Sequence, residues 1–196
     1  MLTEVLAICI VSYLIGSIPF GVLLARMQSL NIREHGSGNI GATNVARVMG
    51  KKAGLLTLLG DVLKGFIVVF GVGTFYKTPM LIALAGLMVF LGHLYSIFLK
   101  FKGGKGIATS LGLFSYLMPW ATLYTVGVFS VCLWISGYVS MGSIMAAISL
   151  PLFAIFLKLP LPYIYLALIV GLFTLQRHYS NILRLIEGNE AKFFKK

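Results

Sequence analysis

In its N-terminal half the chain runs three times through apolar stretches long enough to cross a lipid bilayer, at residues 2–24, 53–75 and 80–99. A hydrocarbon core of roughly 30 Å takes about 20 helical residues, and backbone groups inside it must find partners within the protein. Helices meet that demand. Composition extends the pattern to the whole chain: 59% of residues are hydrophobic and 11% charged, outside the balance of a soluble domain. The 196 residues leave room for about six to eight spans and no separate soluble part, so residues 1–196 read as a single integral-membrane domain. Cys9 and Cys132 lie in apolar runs and are expected to be buried small hydrophobes without a redox role.

Residues 2–24 end at Arg26 and lack the basic leader and cleavage site of a removable signal peptide, so they read as a first span. Residues 28–52 are polar, carrying Arg33, Glu34, His35, Arg47, Lys51 and Lys52. Residues 76–79 form a turn whose proline opens the next helix, and residues 80–99 deliver the chain to Lys100, Lys102 and Lys105. Residues 107–118 make only about 18 Å of helix, a half-span candidate. Pro119 and Trp120 mark a break and an interfacial anchor. The run 121–136, a small polar interruption at 137–143, and helices at 144–157 and 161–176 complete the pattern. The resulting count is six or seven, and charge decides it. With seven crossings every basic residue except Lys64, Lys77 and Lys158 falls on one side, including Lys192, Lys195 and Lys196. The expected fold is an all-α polytopic helical bundle of about seven transmembrane helices, with the N-terminus outside and the C-terminus cytoplasmic. The net charge of +11 then serves orientation and attraction to anionic lipid, with no need for nucleic acid.

Polar stretches break this oily chain at residues 37–47 (SGNIGATNVAR), 101–111 (FKGGKGIATSL) and 177–184 (RHYSNILR). Glycines allow backbone N–H groups to approach an anion, Lys105 adds a point charge, and a helix starting near Ile107 adds its positive end. That combination suits phosphate. The bland alternative is that such glycines serve only turns or close helix packing. It fits the first stretch less well, because Ser37, Asn39, Thr43, Asn44 and Arg47 interleave with glycines and need partners near a membrane. With seven spans these stretches share the cytoplasmic face with residues 137–143. Asp61 and Lys64, three apart inside a span, are expected to form a structural ion pair. His93 reads as a packing residue and His35 as surface. His178 is the functional candidate, with Arg177 before it and Asn181 on its helical face.

Residues 37–47 (SGNIGATNVAR), 100–109 (KFKGGKGIAT) and 177–190 (RHYSNILRLIEGNE), in this order and between these spans, resemble the three cytoplasmic motifs of the bacterial acyl-phosphate:glycerol-3-phosphate acyltransferase family, across the whole chain. The resemblance implies a reaction in which the 1-hydroxyl of glycerol 3-phosphate attacks a fatty acyl phosphate. The products are lysophosphatidic acid and inorganic phosphate, the first step of phospholipid synthesis. It also implies a multi-pass protein of the cell inner membrane with a cytoplasmic-face site. Matched to the family pattern, Ser37, Arg47, Lys105, His178 and Asn181 are tied to catalysis or binding. Gly103, Gly104 and Thr43 are expected to cradle the acyl phosphate with Ser143 adding a hydroxyl, and Asn39 and Asn44 join the binding set. Either His178 or the substrate's own phosphate could take the hydroxyl proton.

GGKG lacks the spacing of a nucleotide-binding phosphate loop, and no histidine is followed by four residues and an aspartate, the pattern of the other large glycerolipid acyltransferase family. No metal-ligand spacing occurs, so neither metal nor cofactor is expected. Membrane lipid and the two substrates are the expected partners, with no obligate protein partner and a monomer as the simplest state. A transporter of a phosphorylated solute or lipid is the competing class. It would more often show two similar halves and a site near mid-membrane, and no internal repeat is evident.

Overall fold

In a computed structural model residues 2–193 are described; Lys195 and Lys196, grouped above with the cytoplasmic basic residues, lie outside them. The described residues hold helices and no strand. They fall into two compact units, one reaching to Tyr116 and one beginning at Leu117.

The N-terminal unit opens with α1 (Leu2–Ser17) and α2 (Phe20–Arg26), bent by 42° at Ile18 and Pro19. Residues 2–24 are therefore a broken run, where the sequence pattern predicts one continuous span. Proline has no N–H and disfavours helical geometry in the residue before it. The break strands two carbonyls in an apolar setting, and side chains from elsewhere satisfy them. Ser96 Oγ donates to the Ser17 carbonyl at 2.6 Å, and Lys64 Nζ donates to the Ile18 carbonyl at 2.8 Å.

Short helix α3 (Ala42–Met49) packs on the long α4 (Lys51–Phe75), and α5 (Pro79–Leu94) packs on α1. Small residues set how close these helices come. A Cβ on Gly16 would collide with the Val89 carbonyl, and one on Gly92 with the Tyr13 carbonyl. The same device joins α4 to α6 (Ile107–Leu117), where a Cβ on Gly112 would strike the Val62 carbonyl. Many large apolar side chains on α1 and α4 stay exposed, among them Leu6, Ile10, Leu55, Ile67 and Phe70. Such a surface suits lipid and not water.

The C-terminal unit stacks α7 (Pro119–Ser136), α8 (Val139–Phe156) and α9 (Leu161–Arg177), followed by α10 (Tyr179–Ile186). The expected interruption at 137–143 shrinks to Gly137 and Tyr138, because Val139 already begins α8. Gly137 closes α7 with φ +78°, the left-handed cap that glycine adopts without a Cβ penalty. Pro151 inside α8 cannot donate to the Ala147 carbonyl, and Gly171 of α9 backs onto that oxygen, with room for no Cβ at 2.7 Å. Cys9 and Cys132 are half-buried and form no disulfide, more exposed than their apolar context predicts because both helices face outward there.

Among the described residues four helices, or five counting α1 with α2 as one bent span, are long and apolar enough to cross a membrane; α6 and α9 are shorter apolar helices.

Candidate functional site

In the N-terminal unit the stretch 31–47 is organised by Asn44, which is 2% exposed. Its Oδ1 accepts the Ser37 N–H at 2.8 Å, and its Nδ2 donates to the carbonyls of Asn39 at 2.8 Å and His35 at 3.1 Å. Those bonds use up an amide's two donors. Asn44 therefore shapes the loop, where the sequence reading places it against substrate. Asn39 has a similar task, its Oδ1 accepting the Gly41 N–H at 2.8 Å just before α3. Ser37 and Arg47 are exposed, and Thr43 lies four residues before Arg47, on the same face of α3. The amides thus build the frame on which the hydroxyls and the guanidinium are carried.

The second stretch is fastened to the first and to α5. Arg33 Nη2 donates to the Lys102 carbonyl. Lys100 and Phe101 both take positive φ, 51° and 61°, turning the chain sharply toward the glycines. Gly103 N–H donates to the Leu94 carbonyl at 2.9 Å and Gly104 N–H to the His93 carbonyl at 3.0 Å. A Cβ at either glycine would collide with His93. Their N–H groups are bonded to α5, so these glycines hold the loop tightly against that helix. What they place is Lys105, half-buried, one residue before Gly106 (φ +88°) and two before the first residue of α6. The first turn of α6 supplies backbone N–H groups without intrahelical partners.

In the C-terminal unit His178 sits at the junction of α9 and α10, 3% exposed. Its Nδ1 is 2.8 Å from the Thr174 carbonyl. A carbonyl only accepts, so the proton lies on Nδ1 and Nε2 carries the lone pair. Asn181, 5% exposed on α10, donates through Nδ2 to Glu190 Oε1 at 2.6 Å, and Arg184 Nε donates to Glu190 Oε2 at 2.7 Å. Burial alone would raise the Glu190 carboxyl, but hydrogen bonding from Asn181 and Arg184, with the Arg184 charge, holds it below its ordinary value. Ser143, 3% exposed on α8, donates to the Val139 carbonyl at 2.9 Å, which leaves its oxygen able to accept.

Sequence reasoning passed over Glu190. The signal available was its place at the end of the third motif, three residues past Glu187 across a glycine with φ +72°. The segment after it is tied down as well, since Phe193 N–H donates to the Gly137 carbonyl at 2.8 Å and Lys192 Nζ stands 5.8 Å from the Tyr138 ring centre.

Described residues that are helical throughout, with an apolar exterior and loops set with guanidinium, ammonium, hydroxyl and imidazole groups, define the class of helical integral membrane proteins. Residues 6–188 match the family described as glycerol-3-phosphate acyltransferase. The glycerol-3-phosphate acyltransferase of Trichlorobacter lovleyi is 45% identical over 183 residues, covering 93% of this chain and 94% of the relative. That of Endomicrobium trichonymphae is 46% identical over 200 residues, covering 100% of each. Among solved structures, PlsY (YgiH), an integral membrane glycerol 3-phosphate acyltransferase, superposes in its glycerol 3-phosphate form with a TM-score of 0.93 at 40% identity, covering 97% of this chain and 96% of that one. Its lysophosphatidic acid form gives a TM-score of 0.90 at 39% identity, covering 96% and 95%. The chain belongs to the glycerol-3-phosphate acyltransferase family.

Proposed function

We propose that this protein transfers a fatty acyl group from acyl phosphate to the 1-hydroxyl of glycerol 3-phosphate, giving lysophosphatidic acid and inorganic phosphate. The observation that carries this is similarity over nearly the whole chain to a structure solved in both a glycerol 3-phosphate form and a lysophosphatidic acid form. The hydroxyl oxygen forms a bond to the acyl carbon, the bond from that carbon to the phosphate oxygen breaks, and the hydroxyl proton passes to a base. Phosphate is already a good leaving group in such a mixed anhydride, so holding and neutralising charge can carry much of the rate.

Arg47 and Lys105 are assigned to phosphate charge, Ser37 and Asn181 to orienting glycerol 3-phosphate, and Thr43 and Ser143 to the acyl phosphate. Asn39, Asn44, Gly103 and Gly104 hold the loops that carry these groups. His178 Nε2 is the protein's acceptor for the hydroxyl proton, and the substrate's phosphate is the alternative acceptor. An H178A variant with near-normal turnover and an unchanged pH profile would rule the imidazole out.

The chain is read as one acyltransferase domain and a working monomer in the cell inner membrane. The bent span, three long helices and two shorter apolar ones, with α7 after the break at Met118, support seven crossings. Single cysteines probed from each side test that reading: one at Lys51 should label from the cytoplasm and one at Lys77 from outside, and the reverse pattern would invert it.

The function is tested by giving the purified protein glycerol 3-phosphate and palmitoyl phosphate without CoA or carrier protein. Equal amounts of lysophosphatidic acid and phosphate, lost in K105A and R47A, are expected. Reaction with acyl-CoA only would replace the donor. Uptake of glycerol 3-phosphate into sealed vesicles without acylation would make the protein a transporter.

A further inference from the structure

Three ionisable side chains deep in the N-terminal unit have no part in the reaction as set out above. Asp61 and Lys64 lie on α4 and His93 in the last turn of α5, at 3%, 4% and 5% exposure. Lys64 Nζ is 2.7 Å from Asp61 Oδ1, donates to the Ile18 carbonyl at the break between α1 and α2, and stands 5.9 Å from the Phe20 ring centre. Asp61 Oδ1 faces His93 Nδ1 at 3.5 Å. A carboxylate opposite Nδ1 favours a proton on that nitrogen and makes Nε2 the accepting end of the ring. That end lies against Gly104. A Cβ there would collide with Nε2 and come within 3.0 Å of Cε1 and 3.2 Å of Cδ2. The backbone is held at the same point, by the bonds from Gly103 to Leu94 and from Gly104 to His93. The series from Ile18 through Lys64, Asp61 and His93 to Gly104 thus ends one residue short of Lys105.

We propose that Asp61 and His93 are positioning residues for Lys105, acting through the contact of the imidazole with Gly104. The inference rests on reading Lys105 as the cation that holds substrate phosphate. Stability alone is a poor reason for this cluster, since a buried ion pair can usually be replaced by apolar groups of similar volume without loss. What it supplies is orientation: a carboxylate fixes the ring and the ring fixes the loop. Displacing a reacting group by about 1 Å can cost roughly 10²-fold in rate, which gives such a support value.

The test uses the full-length protein in detergent with H93N, D61N, G104A and H93N/G104A. Asparagine keeps a donor toward Asp61 and has no atom where Nε2 stood. H93N and D61N should each lower kcat/KM for glycerol 3-phosphate by roughly 10–100-fold, as supporting partners of a functional group commonly do. The KM should rise in both, and the melting temperature should stay close to wild type in H93N, whereas D61N also leaves Lys64 without its carboxylate and should melt lower. G104A should cost at least about tenfold with His93 present and little in the H93N background, because the atoms its Cβ meets all belong to the ring. Backbone exchange at residues 103–106 should quicken in H93N and D61N. Kinetic constants of H93N and D61N within about twofold of wild type would overturn the proposal, as would an equal cost of G104A in both backgrounds. Exchange at 103–106 unchanged in both variants would overturn it whatever the activity. If K105A keeps full turnover, the assignment of Lys105 fails and the proposal with it, whereas a protein without acyl transfer still reports the His93–Gly104 support through exchange.

Discussion

Replacing Asn44 with alanine should loosen the whole loop from His35 to Gly41 without touching any group assigned to substrate. The three shortest bonds of the side chain, at 2.8, 2.8 and 3.1 Å, go to the Ser37 N–H and to the carbonyls of Asn39 and His35. Ser37 and His35 are exposed, so water replaces part of what is lost and each bond counts at its net value of about 1 kcal/mol. Three such bonds come to about 3 kcal/mol, roughly 10² in the equilibrium that keeps the loop ordered. Hydrogen exchange at the Ser37 amide, followed in detergent by mass spectrometry, should therefore speed up by about that factor. Acylation should fall with it, since Ser37 is held by the same bond. Asn44→Asp is the sharper variant, because its second oxygen would oppose the carbonyls of Asn39 and His35, and it should be at least as damaging as alanine. Exchange at Ser37 within about threefold of wild type in N44A would refute the reasoning, because the bond to Asn44 would then contribute nothing measurable.

The Glu190 clamp predicts an acid-side loss of stability. Its carboxyl is depressed below the ordinary 4.5, so its contribution is complete above that value and disappears as pH falls through the folded value. E190Q should lack this slope in melting temperature, and equal slopes in both proteins would count against the clamp. K64M takes away the partner of Asp61 and leaves the Ile18 carbonyl unbonded, and should cost about 3–5 kcal/mol, with D61N/K64M milder than K64M alone in thermal unfolding. G112A should destabilise by about 1–3 kcal/mol because its Cβ meets the Val62 backbone, whereas G71A, with nothing within 4 Å, should be neutral or gain up to about 1 kcal/mol. Melting of the two variants side by side decides, and a G112A as stable as G71A would contradict the close approach of α4 and α6.

The apolar runs were readable because the bilayer imposes a length on any helix that crosses it, and α4, α5, α7 and α9 begin and end within a few residues of the expected bounds. The pair Asp61 and Lys64 was readable for a related reason, since two opposite charges three apart in a span have nowhere better to go. The break at Pro19 was not, because its carbonyls are satisfied by Lys64 and Ser96, far away in sequence. Gly103 and Gly104 show a different limit. A glycine that exposes its N–H to an anion and one that lets a neighbouring carbonyl approach look identical in a sequence, and only the bonds to Leu94 and His93 separate them. Asn44 shows the same limit, since a polar amide among glycines signals hydrogen bonding but not toward what, and its bonds within the loop appear only in the structure. Glu190 escaped notice because its partners lie back across a turn that periodicity does not describe.

The break between α1 and α2 also constrains how the chain can be made. Synthesis runs from the N-terminus, so the Ser17 and Ile18 carbonyls exist long before Lys64 and Ser96 have been added. Until then the pair α1 and α2 has two oxygens that neither of these donors fills, and water or the insertion channel has to serve them. The bent pair is completed only when the residue at 96 arrives, so a segment made well before α5 settles after it.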